Sequence, residues 1–267
     1  MSSAHIKDNW IWSPAIDILK YLLLVTAITW LMVISTNQLG YHWQWYRVPR
    51  YLYSMREGHI VSGPLIAGLM VTLRITGISL VLAFVFGLMT ALLRLSNSLV
   101  GKVISRGYLE VIRNTPLLVQ LFFIYFVLSP VFNISAFTSA VLALSLFEGA
   151  YASEIFRAGI VSIHQGQWEA AFSIGLNTRQ TYRLIILPQA IRRIIPPLTS
   201  QAVSLIKDSA LVSTIAIYDL TMRGQAIIAE TFLVFEIWFT VAAVYLIITL
   251  ILSLTVFYLE KRFKVEY

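Results

Sequence analysis

Long stretches without a charged residue constrain the fold of this chain most strongly. Residues 237–259 and 75–93 contain no Asp, Glu, Lys or Arg, and the same holds for residues 21–46 and 114–147. A helix of roughly 20 mostly apolar residues is long enough to cross a bilayer. We therefore expect an all-α membrane protein.

The composition agrees with that expectation. Charged residues make up 12% of the 267 residues and apolar residues 58%, against about 25% and 45–50% in soluble domains. This balance argues against a soluble enzyme, a disordered protein and a nucleic-acid binder. The chain has no cysteine, which excludes disulfides, thiolate metal sites and Cys nucleophiles.

The uncharged stretches predict six membrane helices. Ser129-Pro130 divides the longest stretch into two helices, because proline removes a backbone donor and disfavours helix before it. Pro196-Pro197 opens the fifth helix, for which a soluble surface hairpin is the alternative. The predicted helices span residues 15–36, 66–94, 108–128, 135–158, 197–217 and 235–259.

The basic residues predict the orientation. If both termini are cytoplasmic, fifteen Lys and Arg lie inside and five outside, as the positive-inside rule requires. The net charge of +7 then reflects membrane insertion rather than a nucleic-acid partner. The N-terminal apolar stretch follows about twenty mixed residues and lacks a convincing cleavage site, so we interpret it as an uncleaved helix.

An aromatic segment, residues 40–57, follows the first predicted helix. It contains Tyr41, Trp43, Trp45, Tyr46 and Tyr51, and such rings favour the membrane–water boundary. Either an interfacial loop or short in-plane helix, or a docking surface for an external partner, would account for it.

Sequence signatures of catalysis are missing. There is no G-x-x-x-x-G-K-[ST] phosphate loop and no G-x-S-x-G elbow, and the four histidines lack metal-ligand spacing. We therefore expect no enzyme active site, and neither a cofactor nor a metal on this chain.

The loop between the fourth and fifth predicted helices carries the most specific pattern. Glu169 begins a short helix near its positive N-terminal dipole, and Gly175 closes that helix in the left-handed conformation. Asn177 or Thr178 caps a second helix, with Gln180 as the reciprocal partner if Asn177 is the cap. Pro188 limits this second helix. An amphipathic hairpin without any partner is the alternative interpretation.

This loop resembles the signature of ATP-binding cassette (ABC) importer permeases, in which E-A-A is followed by three residues, Gly, nine residues and I-x-L-P. Residues 108–120, 151–157, 187–190 and 206–211 resemble the polar amino acid branch of that family. The resemblance covers about residues 68–261 and implies five core helices, preceded here by one additional helix. The residues that it assigns to coupling with an ATPase are Gly166, Glu169, Ala170, Ala171, Gly175, Leu187 and Pro188.

The resemblance also implies a domain organisation. Residues 1–64 would form the N-terminal helix and an external aromatic loop, and residues 65–262 the permease domain. That domain includes the cytoplasmic E-A-A loop, about residues 159–195. Residues 263–267 would form a cytoplasmic tail.

The function implied is a permease subunit that moves a polar amino acid across the inner (cytoplasmic) membrane. Its partners would be a separate ATPase holding ATP and Mg²⁺, a second permease that is a copy or a relative, an extracytoplasmic amino acid-binding protein and membrane lipid. An ion-gradient-driven secondary transporter and a membrane-anchoring scaffold are the competing hypotheses.

Charged and polar residues at bilayer depth are expensive and suggest a pathway or a structural pair. Glu148 is either a contact for a substrate amino group or a hydrogen-bonded packing acid. Glu154 and Arg157 are three residues apart and are expected to form a structural ion pair. The remaining candidates for the pathway are Thr115, Tyr151, Lys207 and Asp208, and Arg113 is expected to begin the third helix.

Overall fold

The computed structural model describes residues 14–38, 40–56 and 59–263. Of the predicted tail, residues 263–267, only Phe263 lies within these ranges, and the N-terminal residues 1–13 lie outside them. Contacts divide the chain into two units, residues 1–44 and 45–267. The domain limits that the sequence suggests at residues 64 and 262 stay predictions.

The first unit contains helix α1, Pro14–Gln38. It confirms the helix predicted at 15–36. Its apolar stretch Ile16–Ser35 is long enough to cross a membrane, and none of it is buried. Lys20 Nζ lies 3.6 Å from Asp17 Oδ1 near the start of the helix. A helix that is apolar all round is typical of a segment surrounded by lipid.

The second unit begins with short elements in the aromatic segment. A 3₁₀ turn, Trp45–Arg47, leads into helix α2, Pro49–Leu52, and then into strands β1, Tyr53–Arg56, and β2, His59–Ser62. The strands pair antiparallel, with Tyr53 opposite Ser62. The Trp45 ring lies 6.3 Å from that of Phe239. A β-hairpin thus follows the short helix, a feature that the aromatic pattern did not predict.

Helices α3, Pro64–Leu95, and α7, Ala136–Val161, pack against each other at the centre of this unit. Small residues allow the close approach: a Cβ added at Gly87 would lie 2.8 Å from the Cβ of Ala152. Both helices confirm the predicted spans at 66–94 and 135–158.

The third predicted helix, 108–128, is wrong. Helix α4, Leu99–Arg113, ends before Asn114, and helix α5, Leu117–Phe122, begins after Pro116 at an angle of 106° to it. Arg113 therefore ends a helix rather than beginning one. Pro116 adopts an extended conformation, and proline disfavours helix in the residue before it, which places the bend here.

The division at Ser129-Pro130 is also wrong. A π-helical turn, Phe123–Leu128, continues α5 into helix α6, Ser129–Phe132, so the helix passes through the proline. A wider turn relieves the clash of the Pro130 ring with the preceding carbonyl groups. The chain reverses instead at Asn133, whose φ is +52°.

The fifth predicted helix, 197–217, begins too late and ends too late. Helix α10, Leu187–Asp208, contains Pro196 and Pro197 in its interior and continues as a 3₁₀ turn, Ser209–Ile215. Helix α11, Leu220–Thr231, follows and was not predicted. Helix α12, Val234–Phe263, contains the sixth predicted span, 235–259.

Within the described residues, four helices are long and apolar enough to cross a membrane. They become five if the bent pair of α4 with residues 117–132 counts as one span. Helix α10 does not meet the same test, so the six predicted spans are not all recovered by length and apolar character.

Candidate functional site

The E-A-A segment lies on helix α8, Gln165–Ser173. The Nδ1 atom of His164 caps the helix by accepting a hydrogen bond from the Gly166 N–H at 3.0 Å. Glu169 is therefore the fifth residue of the helix. Its expected place in the first turn, next to the N-terminal dipole, is wrong, because His164 allows the helix to begin earlier.

The C-terminus of α8 has the geometry of a Schellman motif. Gly175 has φ +83°, which confirms the left-handed turn expected there. The Leu176 N–H donates to the Ala171 carbonyl at 3.1 Å, and the Gly175 N–H donates to Phe172 at 3.0 Å. These two bonds satisfy carbonyl groups that a helix end would leave without partners.

The second helix of the loop is capped as the sequence suggests. The Asn177 side chain accepts from the Gln180 N–H, and the Gln180 side chain accepts from the Asn177 N–H, each at 2.9 Å. This confirms Asn177 as the cap of helix α9, Thr178–Thr181.

Pro188 does not limit this helix, contrary to the prediction. A π-helical turn, Tyr182–Ile186, joins α9 to α10, and Pro188 lies in the first turn of α10. Helical backbone therefore runs from Thr178 to Asp208. As at Pro130, the wider turn accommodates a proline that an α-helix would reject.

Three contacts fix the loop to the rest of the bundle. The rings of Trp168 and Tyr182 meet edge to face at 4.9 Å, and Gln189 Nε2 donates to Gln167 Oε1 at 3.2 Å. Arg193 Nη1 donates to the Ser162 carbonyl at 2.6 Å, at the end of α7. Helix α8 therefore contacts α10 and the turn before it, and α10 in turn contacts the end of α7.

The coupling candidates differ in exposure. Glu169 and Ala170 are exposed on α8 and Ala171 is buried, while Leu187 and Pro188 are exposed at the start of α10. Gly166 lies half-buried beneath the His164 ring. Since Glu169 and Ala170 project from a braced helix, they form a rigid surface that another protein can contact.

Glu148 lies at the middle of α7 and is 2% exposed. Neither of its carboxylate oxygens has a hydrogen-bond partner of good geometry in the described residues. The side chains of Gln201 and Asp208, both from α10, are its polar neighbours. Burying a carboxylate without firm partners is costly, so Glu148 is a candidate for contact with a cationic group.

Glu148 borders a cavity of about 190 Å³. The other residues around that cavity are mainly apolar: Leu80, Ala83, Phe84, Ala152, Leu198, Thr199, Gln201 and Ala202. Thr115, Tyr151, Lys207 and Asp208 are not among the residues that border it. Asp208 is nevertheless a neighbour of Glu148 and feels the charge of Lys207, whereas Thr115 and Tyr151 lie elsewhere.

Those other candidates have local partners or a separate cavity. Thr115 Oγ1 donates to the Val111 carbonyl at 2.8 Å and receives a bond from Gln120 Nε2 at 2.8 Å, at the bend after α4. The Tyr151 ring lies 5.8 Å from the Arg113 guanidinium. Lys207 lines a cavity of about 220 Å³ between α10 and α12.

Glu154 is bound by three arginines rather than one. Its Oε2 accepts a hydrogen bond from Arg157 at 3.0 Å, and its Oε1 lies 3.4 Å from Arg113. Arg94, at the end of α3, forms a short bond with the same Oε1. Spacing along the sequence reveals Arg157 alone, because Arg94 and Arg113 belong to other helices.

Comparison with known proteins identifies similar chains. Residues 83–265 match the family model described as "Binding-protein-dependent transport system inner membrane component". The chain is 43% identical over 204 residues to the glutamine transport system permease protein of Escherichia coli (strain K12), which covers 75% of this chain and 93% of the relative. It is 42% identical over 206 residues to the L-cystine transport system permease protein of Bacillus subtilis (strain 168), covering 76% and 86%.

Solved structures show the same fold. A chain from the crystal structure of an amino acid ABC transporter with histidines superposes with a TM-score of 0.71 and 39% identity, covering 74% of this chain and 94% of that one. A chain from an inward-facing methionine ABC transporter superposes with a TM-score of 0.63 at 18% identity, covering 75% and 96%. The second likeness concerns the fold alone.

Proposed function

We propose a transport role for this chain from the premise that it belongs to the family of binding-protein-dependent transport system inner membrane components. The chain is the permease subunit of an ATP-driven importer that carries a polar amino acid inward. Relatives named for glutamine and cystine transport support this substrate class.

The braced helix α8 is the observation that carries the proposal. Its exposed Glu169 and Ala170 are the contact for a separate ATPase, which holds ATP and Mg²⁺. Because Gln167 bonds Gln189 on α10 and Trp168 packs against Tyr182 in the turn before α10, displacement of α8 by the ATPase would be transmitted to α10. Glu148 has its polar neighbours on α10, so the same displacement reaches the middle of the membrane.

Glu148 and Asp208 are the proposed contacts for the substrate amino group. Two carboxylates from different helices can together stabilise a cationic group, and neither oxygen of Glu148 has a hydrogen-bond partner among the described residues. The alternative of a purely structural acid requires hydrogen-bond donors that satisfy both Glu148 oxygens, and none does so in the described residues.

A second permease completes the pathway in this proposal. Leu80 and Phe84 border the Glu148 cavity and are 39% and 46% exposed, so one chain alone does not enclose it. An extracytoplasmic binding protein delivers the amino acid from the other side. Both termini are proposed to be cytoplasmic, because fifteen of the twenty Lys and Arg then lie inside.

Reconstitution with the ATPase and the binding protein tests this function. Amino acid uptake should require ATP and persist when an uncoupler dissipates the ion gradient. Glu169→Arg should abolish uptake while leaving the chain inserted, whereas Glu230→Arg, at an exposed acid on α11, should retain it. Uptake that does not require ATP and is abolished by the uncoupler would instead identify a secondary transporter.

A further inference from the structure

A large basic cavity lies where α3 ends, α4 begins and α7 approaches its end. Its volume is about 630 Å³, within the range of about 300–1,000 Å³ typical of ligand sites. Five cationic side chains line it: Arg94, Lys102, Arg106, Arg113 and Arg157. The only carboxylates among its lining residues are Glu110 and Glu154, so five positive and two negative charges leave a formal excess of +3.

The carboxylates neutralise the positive charge of this cavity mainly on one side. Glu154 engages Arg94, Arg113 and Arg157, and the Oε2 atom of Glu110 accepts from Asn114 at 2.9 Å. Lys102 and Arg106 form no ion pair among the residues that the structure describes. Two cations therefore face the cavity without a carboxylate partner.

The two unpaired cations lie on one face of α4, four residues apart. Gly101, Ser105 and Leu109 lie on the neighbouring face of this helix and are buried. The side of α4 away from the two cations is an apolar stripe that the chain leaves uncovered: Val100, Ile104 and Val111 are 66%, 60% and 62% exposed. A basic face opposite an apolar stripe is typical of a helix that lies in the membrane interface.

The bend after α4 fits this placement. The following helix departs at 106°, so the two helices cannot both run along the membrane normal. If α5 runs across the membrane, α4 lies close to the membrane plane. Its apolar stripe can then meet acyl chains while Lys102 and Arg106 remain at the level of the headgroups.

We infer that this cavity binds the phosphate group of an anionic phospholipid. Basic pockets between membrane helices recognise phosphate-bearing headgroups. The lining of this cavity also includes two exposed apolar side chains, Leu99 (77%) and Val103 (63%), which acyl chains can cover. A substrate carboxylate would satisfy the cations but would leave Leu99 and Val103 uncovered. A soluble phosphate would do the same.

Native mass spectrometry of the full-length chain tests the inference directly. The chain, purified in mild detergent, is titrated with phosphatidylglycerol and with phosphatidylcholine of the same acyl chains. We expect selective retention of phosphatidylglycerol. Lys102→Gln with Arg106→Gln should weaken it about thirtyfold, since each basic residue near an anionic surface contributes about a factor of five.

Two further variants control for charge and for folding. Arg179→Gln with Arg183→Gln removes the same charge from another pair four residues apart, outside the cavity, and should leave phosphatidylglycerol retention unchanged. Lys102→Arg with Arg106→Lys preserves the charge and should bind like the parent. Equal helical circular dichroism establishes that all variants are folded.

Competition distinguishes the source of the anion. Millimolar inorganic phosphate should not displace the lipid; displacement would replace the lipid assignment with a soluble phosphate. Displacement by free amino acids would assign the cavity to the transport pathway, and equal retention by the parent and the glutamine variant would overturn the site. The assay uses no ATPase and no uptake, so its failure would leave the transport proposal standing.

Discussion

Substitution of Gly175 isolates the contribution of one backbone conformation to coupling. Its φ is +83°, and an added Cβ would meet no atom within 4 Å. Alanine at this position therefore causes no clash, and its cost is that of a left-handed conformation alone, about 1–2 kcal/mol. Such a cost lowers the population of the closed turn relative to the open turn by roughly 5- to 30-fold.

The open turn loses the two bonds that close α8. The Leu176 N–H to Ala171 bond and the Gly175 N–H to Phe172 bond, 3.1 and 3.0 Å long, hold the helix end against the following chain. Without them α8 becomes a compliant rather than a rigid contact. We expect Gly175→Ala to reduce ATPase stimulation by loaded binding protein several-fold, and Gly175→Val, which is β-branched, to reduce it further.

Two variants make this prediction specific. Asparagine tolerates the left-handed region better than alanine, so Gly175→Asn should retain more coupling than Gly175→Ala. Gly40 also has a positive φ, +58°, and open space around it, but lies outside the loop, so Gly40→Ala should keep coupling intact. Wild-type stimulation in Gly175→Ala and Gly175→Val would refute the rigid-contact argument.

Three other substitutions probe the bundle and the pathway. Gly159→Ala places a Cβ 2.3 Å from Ile194 Cγ1, so the free energy of unfolding should fall by about 1–3 kcal/mol and the thermal midpoint with it. Adding Ile194→Ala to this variant should restore part of the lost stability. Gln120→Leu removes the donor that bonds the Thr115 carbonyl at 3.0 Å and its hydroxyl at 2.8 Å; a loss of about 1–3 kcal/mol should appear in the same melt. Glu148→Gln should raise the uptake KM roughly ten- to a hundredfold, the value of a charge-assisted bond.

Each of these has a control and a contradicting result. Gly77→Ala, a helical glycine with open space around it, should melt like the parent, and an equal melt for Gly159→Ala would deny the close approach of α7 and α10. An unchanged melt for Gln120→Leu would show that the bend does not depend on that amide. Glu230→Gln removes the same charge elsewhere and serves as the control for Glu148→Gln. Unchanged uptake kinetics for Glu148→Gln would show that Glu148 has a packing role only.

Local signals in the sequence predicted local features well. Gly175 and the Asn177–Gln180 capping box depend on residues within one turn of each other, and both occur as expected. The long uncharged stretches likewise located α3, α7 and α12, because burial in lipid leaves a compositional trace that tertiary contacts do not override.

The helix predictions that depend on proline were mostly wrong. Pro130, Pro188, Pro196 and Pro197 all lie inside continuous helical backbone, and π-helical turns precede the first two. A π turn has no sequence signature of its own, since it depends on how the rest of the helix is held. Pro116, by contrast, does mark a boundary, yet it falls within the helix predicted at 108–128.

Contacts between distant segments were beyond the reach of spacing rules. Arg94 and Arg113 join Glu154 only because α3, α4 and α7 meet at one end of the bundle. Similarly, Asp208 becomes a neighbour of Glu148 because α10 begins ten residues earlier than predicted and ends at Asp208. The pathway candidates could be named from the sequence, but their separation into different cavities could not.

Cross-linking at Ala170 tests most directly whether α8 is the contact for an ATPase. The chain has no cysteine, so Ala170→Cys, exposed on α8, and Ala229→Cys, exposed on α11, each carry a single reactive thiol. With a short thiol-directed photo-cross-linker in membranes containing the assembled transporter, we expect an adduct between Ala170→Cys and the ATPase chain and none from Ala229→Cys. Failure of Ala170→Cys to form that adduct, together with its labelling by a membrane-impermeant reagent from outside intact cells, would contradict the account.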